Sequence, residues 1–245
     1  EDVLPEALAA ELFYFAPRAV IWGDGYDKGR TPMSRAERFG GVTPAAAARW
    51  AAAQPSADGL RERTMEWAWQ LISACYRVKA ETEHVFNLTA ELSADFFHLT
   101  CRQHLDDSGV AGDSHPVHAD NCYQQGAECV RGPPMFHWRS HSAILALNSP
   151  GQDSFGGGDF YYTTSWEGEP RTRLTPKAGR MVSFTAGPEN LHGVSAVTAG
   201  IRCQLSAWFT EDAGLAMHTA ELQAAEEVLR SADGKHRAAG ALHEL

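Results

Sequence analysis

No stretch of this 245-residue chain is apolar for long enough to cross a bilayer. Runs such as Ala143 to Leu147 fall far below the ~20 residues that a helical span requires, so membrane insertion is not expected. Basic residues are scarce as well, with 21 Lys+Arg against 31 Asp+Glu and a net charge of −10. Without a basic stripe, neither nucleic acid nor an anionic membrane surface is an expected partner. Cysteine is sparse: Cys75, Cys101, Cys122, Cys129 and Cys203 are too few for a disulfide scaffold and form no C-x-x-C of a zinc ribbon. Internal repeats and low-complexity tracts are lacking beyond a few alanines. No signal peptide opens the chain and Glu1 is not an initiator methionine, which reads as a processed or trimmed piece. What is present, 44% hydrophobic and 21% charged residues, is an ordinary globular composition and suits one large domain.

Three weak marks bear on compartment and lean the same way. Cys122 and Cys129 enclose a short loop, and a local disulfide or two reduced thiols both fit that spacing. Asn87-Leu88-Thr89 is an N-glycosylation acceptor. Leu242-His243-Glu244-Leu245 resembles the Lys-Asp-Glu-Leu retrieval signal. Together they place the chain in the lumen of the endoplasmic reticulum, as a glycoprotein.

The first half reads as helical and the second as strands. Leu8, Leu12 and Phe15 predict a helix over 5–15, and 22–41 reads as irregular. Thr43-Pro44 is an N-cap with proline at the first helical position, opening a helix to Ala53. Met65, Trp69, Ile72, Cys75 and Tyr76 predict a long helix over 59–81. Short candidates at 98–102, 116–120, 136–147, 159–164, 180–185, 193–197 and 201–209 are spaced like an antiparallel sandwich or barrel. A helix at 213–231 and a loose tail at 232–245 follow. One α+β domain over 1–231 is therefore expected, helical over about 1–90 and strand-rich over about 91–210.

His118-Ala119-Asp120 attracts attention because residues i and i+2 of a strand share a face. Alone, this is weaker than the bland reading of a surface His and Asp. His192 changes the balance: two imidazoles and one carboxylate form a three-sided set that can hold Fe(II) with positions left open. If a hairpin turned at 198–200, Val197 would pair with Ile201 and His192 with Ser206. His192, Arg202, Gln204, Ser206 and Trp208 would then line one polar face, while Ile201, Cys203, Leu205, Ala207 and Phe209 packed on helices. Arg202, about 13 Å of strand rise beyond that point, would reach the far carboxylate of a five-carbon diacid through two parallel hydrogen bonds. His115, three residues before His118, falls on the other face of a strand and reads as supporting rather than ligating. Arg102, Arg139 and His137 are candidates for a cleft mouth, and Trp208 for filling the pocket.

H-x-D, then His, then Arg ten residues on resembles the Fe(II)- and 2-oxoglutarate-dependent dioxygenases, in particular their prolyl hydroxylase branch. Asn148 through Phe160, with its Gly156-Gly157-Gly158, is similar to that branch's Leu-Asn and Gly-Gly stretch. The segments Ser114 to Cys122, His98 to Arg102, the pair Cys122 and Cys129, and His192 to Cys203 resemble the catalytic domain of the leprecan family. So do Gly23 to Tyr26 and Glu37 to Phe39. Leprecans are the prolyl 3-hydroxylases of collagen. The likeness spans roughly 1–210, and Ala146 and His141 stand where that family commonly has aromatic hydroxyls.

The resemblance implies a double-stranded β-helix (jelly-roll) core backed by N-terminal helices, with a C-terminal helix. It implies His118, Asp120 and His192 as ligands to Fe(II), and Arg202, with Ser206, as cosubstrate-binding residues. It further implies 2-oxoglutarate and O2 as cosubstrates, ascorbate as an accessory reductant, and hydroxylation of prolyl residues at C3 in proline-rich or collagen-like polypeptides. Chaperones of the endoplasmic reticulum are the companions to expect. Prolyl 4-hydroxylation, another peptidyl hydroxylation, a zinc hydrolase on the same three ligands, and a non-catalytic peptide-binding module are the competing readings.

Overall fold

Helix α1 (Glu6–Ala19) forms where apolar residues recur every three or four positions, and it buries Ala9, Leu12, Phe15, Ala16 and Ala19. This is a computed structural model, in which residues 2–23, 36–105, 112–132, 136–151, 154–216 and 220–243 are described. Of the segment resembling the family's opening stretch, 24–26 therefore lie outside the described residues. Strands β1 (Ile21–Trp22) and β2 (Glu37–Val42) follow. Helix α2 (Pro44–Ala52) starts at the predicted cap: the Thr43 hydroxyl accepts the Ala46 N–H at 3.4 Å, and Glu221 accepts the Ala45 N–H at 2.9 Å. Helix α3 (Leu60–Val85) runs one turn past its predicted end.

The strand-rich part begins with β3 (Ser93–His104) and β4 (His115–His118), followed by the small hairpin β5 (Tyr123–Gln125) and β6 (Glu128–Val130). Next come β7 (His141–Ala146), β8 (Phe155–Gly157), β9 (Phe160–Tyr162), β10 (Thr172–Leu174) and β11 (Met181–Thr185). Strands β12 (His192–Val194) and β13 (Val197–Thr210) complete it, and α4 (Glu221–His243) closes the chain. That last helix starts later and ends later than the apolar pattern suggests, so the segment expected to be a loose tail is helical through His243.

All strand pairs are antiparallel. The large sheet has the order β1-β2-β3-β13-β7-β11, with β8 also on β13, and the small sheet has the order β10-β9-β12-β4. The large sheet's outer face carries Phe97, Leu99 and Cys101 of β3, Leu205, Ala207 and Phe209 of β13, and Ala143 and Leu145 of β7. These pack on Leu12 and Phe15 of α1, Ala48 of α2, Leu71, Ile72 and Val78 of α3, and Leu222 and Leu229 of α4. Helices backing one face of an antiparallel sheet are an α+β arrangement, and the two sheets make the expected jelly roll. Its other face, turned towards the small sheet, is left for polar work.

Two expectations are corrected here. The segment 37–41 is strand, not irregular: β2 pairs with β3 from Glu37↔His104 to Val42↔Leu99. Its glycines disguise it, and one is needed, since a Cβ at Gly41 would lie 2.2 Å from Nε2 of the buried His98. The second correction concerns the hairpin. His192 and Ser206 are not cross-strand partners: β12 pairs with β4 and β9, whereas β13 pairs with β3 and β7. Thr198 and Gly200 do not close a hairpin but belong to β13, whose start pairs with β8. The chain changes sheets between Val194 and Val197, which a parity argument confined to one sheet does not allow for. Alternation within β13 is a local property and holds.

Disulfides join Cys122 to Cys129 and Cys101 to Cys203, while Cys75 is free and buried. The first matches one of the two states its spacing allowed. The second crosses directly paired positions of β3 and β13, and its partners stand 102 residues apart. Closing a loop of that length stabilises the fold by about 4–5 kcal/mol through the entropy of the unfolded chain. Two disulfides are chemistry for an oxidising compartment. No helix among the described residues is long and apolar enough to cross a membrane.

Candidate active site

Three side chains from three places meet at the mouth between the sheets. His118 ends β4, Asp120 sits two residues beyond it, and His192 opens β12 directly across from His118. One nitrogen or oxygen from each lies within 4.8 Å of the others. Asp120 reaches this point after the strand has ended, its N–H and that of Asn121 both donating to the Ala186 carbonyl. A bend, not a shared strand face, turns the carboxylate inward.

Each histidine is oriented by its own chain. His118 Nδ1 is 2.9 Å from the Pro116 carbonyl and His192 Nδ1 is 2.8 Å from the Asn190 carbonyl. A carbonyl only accepts, so both Nδ1 atoms carry hydrogen and both Nε2 lone pairs face the common point. Those Nε2 atoms stand 3.5 Å and 3.9 Å from the two Asp120 oxygens. Burial, reinforced by neighbouring His118, holds His192 down at about 4, so it is a neutral ligand at physiological pH. For Asp120 burial pulls upward, but the close approach of His118 and His192 and the hydrogen bond from Ser142 outweigh it and keep the carboxyl below its usual range. Two neutral imidazoles, one carboxylate and an open side suit a divalent first-row ion.

Supporting contacts are dense. The His115 ring stacks on His118 with centroids 3.9 Å apart, although the spacing put it on the opposite strand face. A register irregularity between His192 and Val194 accounts for the difference. His115 is not among the grouped ligand atoms. Phe160 and Phe184 pack against His192 at 5.1 Å and 4.6 Å.

Behind the triad runs the inner face of β13. Arg202, Gln204, Ser206 and Trp208 line the same pocket as His118, Asp120 and His192, joined by Thr100 and Arg102 from β3. Arg202 is only 3% exposed, and among the described residues no carboxylate forms an ion pair with it. Burial and the adjacent Arg102 lower it to about 10, against the pull of Glu37 and Asp159, and it remains a cation. Its Nε, the Trp208 Nε1 and the Gln204 Oε1 are buried without hydrogen-bond partners among the described residues. Such orphaned donors and acceptors in one pocket ask for a polar ligand. Ser206 lines that pocket too, but it faces His98 and Ile144 across the ladder and bonds Gln204 at 2.8 Å.

Gly158 touches this arrangement. It sits at φ +70°, and a Cβ there would stand 2.7 Å from Arg202 Cδ. Gly158→Ala should weaken dicarboxylate binding about tenfold or more by displacing the guanidinium, while the left-handed backbone costs a further ~1–2 kcal/mol of stability. Calorimetric titration beside a melting curve would separate the two effects; unchanged binding would show that Arg202 does not need the space.

Of the other candidates, Arg102 lines the pocket, whereas Arg139 is committed to Asp95 at 2.7 Å and to the rings of Phe136 and Trp208. Trp208 stacks on Phe96, and its N–H has no hydrogen-bond partner among the described residues. Sequence reasoning missed Glu37 as a pocket-side charge, because it lay in a stretch read as irregular.

Residues 104–210 match the 2OG-Fe(II) oxygenase superfamily. This chain carries a 2OG-Fe(II) oxygenase domain. The domain's H-x-D…H triad is intact, and the site's donor set fits Fe(II) with 2-oxoglutarate as the cosubstrate. The oxygenase is similar to prolyl 3-hydroxylase 2 of Gallus gallus, 34% identical over 241 residues, which are 96% of this chain and 33% of that protein. Prolyl 3-hydroxylase 1 of Homo sapiens is 34% identical over 216 residues, 86% of this chain and 28% of that protein. The chain thus spans about a third of the length of the curated relatives it matches. In fold the oxygenase resembles a prolyl hydroxylase of Trichoplax adhaerens, solved in complex with a hypoxia inducible factor oxygen degradation domain peptide fragment. That likeness has a TM-score of 0.51 and 13% identity and covers 86% of this chain and 81% of that one.

Proposed function

We propose that this oxygenase hydroxylates prolyl residues, at C3, in proline-rich or collagen-like polypeptides, with conversion of 2-oxoglutarate to succinate and CO2. The observation that carries the reading is Arg202: a buried guanidinium, unmatched by any described carboxylate, in the same pocket as two inward-facing imidazoles and an ionised acid. His118, Asp120 and His192 are the residues that would hold Fe(II), and Arg202 the residue that would hold the distal carboxylate of 2-oxoglutarate, with Ser206 and Gln204 beside it. The ion, when bound, supplies the redox chemistry that activates O2. The protein's own contribution is placement. Pro116 and Asn190 carbonyls fix the imidazole tautomers, Gly158 leaves room for the Arg202 stem, and Phe160 and Phe184 keep water from the buried imidazole.

The 34% identity to prolyl 3-hydroxylases supports C3 of proline, and the resemblance of the sequence motifs to the leprecan family supports a collagen-like substrate. Residues 1–231 are proposed as one unit, since one core joins the helices to the large sheet. The disulfides and Asn87 in an exposed turn favour residence in the endoplasmic reticulum among its chaperones, with ascorbate sustaining turnover. The deciding experiment incubates proline-rich peptides with protein, Fe(II), 2-oxoglutarate and ascorbate. Mass spectrometry should find one added oxygen on proline, and amino-acid analysis should identify 3-hydroxyproline. Succinate without hydroxyproline would overturn the substrate, 4-hydroxyproline the position, and no succinate the whole reading.

A further inference from the structure

Arg102 and Arg202 are direct cross-strand partners on β3 and β13, pointing into one pocket. Side chains so paired have Cβ atoms ~5 Å apart, and two buried like charges at that separation repel. Among the described residues, Glu37 of β2 is ion-paired with Arg102, while Arg202 feels the pull of Glu37 and Asp159 without an ion pair to either. The Glu37 side chain is 1% exposed, Oε2 lies 3.5 Å from Arg102 Nη1, and Oε1 accepts the Val197 N–H at 2.8 Å and the Ser114 hydroxyl. Anchored at three points, Glu37 cannot turn to water. Phe39 lies beneath the Arg102 guanidinium at 5.1 Å and holds it in place.

Resting on the reading of Arg202 as a carboxylate anchor, we propose that Arg102 is a positioning residue whose task is to neutralise Glu37, so that the neighbouring guanidinium of Arg202 stays open to the ligand. Arg102 then answers Glu37, and Arg202, with no carboxylate at ion-pair distance among the described residues, is left for one ligand carboxylate. Without Arg102, the immobile Glu37 faces Arg202 as its nearest strong cation, and a buried charge is stabilised by whichever opposite charge it can reach. Glu37 would then occupy electrostatically the partner that a dicarboxylate needs. The arrangement predicts an unusual result: removal of a positive charge harms anion binding, and removal of the negative charge beside it restores the loss.

The test is anaerobic calorimetry of 2-oxoglutarate binding to the Fe(II)-loaded protein, with no turnover involved. Arg102→Gln should raise Kd about tenfold or more, and Glu37→Gln/Arg102→Gln should return it to within about threefold of wild type. Glutamine at 37 keeps an oxygen for the Val197 N–H and the Ser114 hydroxyl, so the double variant retains those anchors. Should Arg102→Gln fail to fold, Glu37→Gln alone gives the reverse arm: affinity equal to or tighter than wild type. Equal weakening in the single and double variants, an unaltered Arg102→Gln, or a weaker Glu37→Gln would each overturn the proposal. Arg202→Met is the control for the underlying reading. If it binds 2-oxoglutarate as wild type does, the anchor assignment fails; if it binds weakly while Arg102→Gln does not, only the role of Arg102 fails.

Discussion

Asp120→Ala will lower Fe(II) affinity by more than the ~10–100-fold that loss of a hydrogen-bond partner around a metal costs, and will leave succinate formation at background. The carboxylate is the one anionic member of the triad, and the two imidazoles keep it ionised. Without it the ion meets two neutral nitrogens, and nothing offsets its dehydration. The variant should nevertheless fold. Burial holds His192 neutral, so deleting Asp120 does not strand it as a buried cation, and the disulfides and the helix-backed core are untouched. Titration of Fe(II) under nitrogen, beside circular dichroism and a melting curve, reads both halves. A folded variant that binds the ion as wild type does would remove Asp120 from the site. Asp120→Glu should recover part of the affinity, since it keeps the charge but moves it by one methylene.

Much of this site could be read from residue order because its parts are local. His118 and Asp120 are two residues apart, and the ladder of Arg202, Gln204, Ser206 and Trp208 is a property of one strand's alternation, independent of what that strand pairs with. Helix α2 was equally legible, its Thr-Pro cap being a mechanism written into adjacent residues. What could not be read was pairing. His192 was assigned to the same sheet as Ser206 because a short Gly-containing stretch looks like a turn, whereas the chain passes from one sheet to the other there. The same ignorance of register concealed Cys101–Cys203, and with it the adjacency of Arg102 to Arg202 one position along. Glu37 went unseen for a different reason. Its strand carries Gly40-Gly41, and glycine gives no strand signal although close packing demands it there.

Arg202→Met will move binding and stability in opposite directions. A guanidinium that grips a carboxylate through two charge-assisted hydrogen bonds contributes ~3–6 kcal/mol at ~1.5–3 each, so 2-oxoglutarate affinity should fall about 10²–10⁴-fold. In ligand-free protein the same group is a buried cation, 3% exposed, facing Arg102 and without an ion-paired carboxylate among the described residues. Replacing it with an apolar side chain of similar length removes that cost, so the melting temperature should hold or rise. Arg202→Lys should fall between, since an ammonium keeps the charge but not the planar fork. The ligand supplies a further control. A 2-oxo monoacid such as pyruvate offers the ion the same chelating end but has no distal carboxylate, so its already weak binding should be nearly indifferent to Arg202→Met. Loss of affinity for both acids would mean that Arg202 shapes the pocket generally. Selective loss for the diacid requires that the guanidinium meets the far carboxylate, which ties the strand alternation of β13 to the choice of cosubstrate.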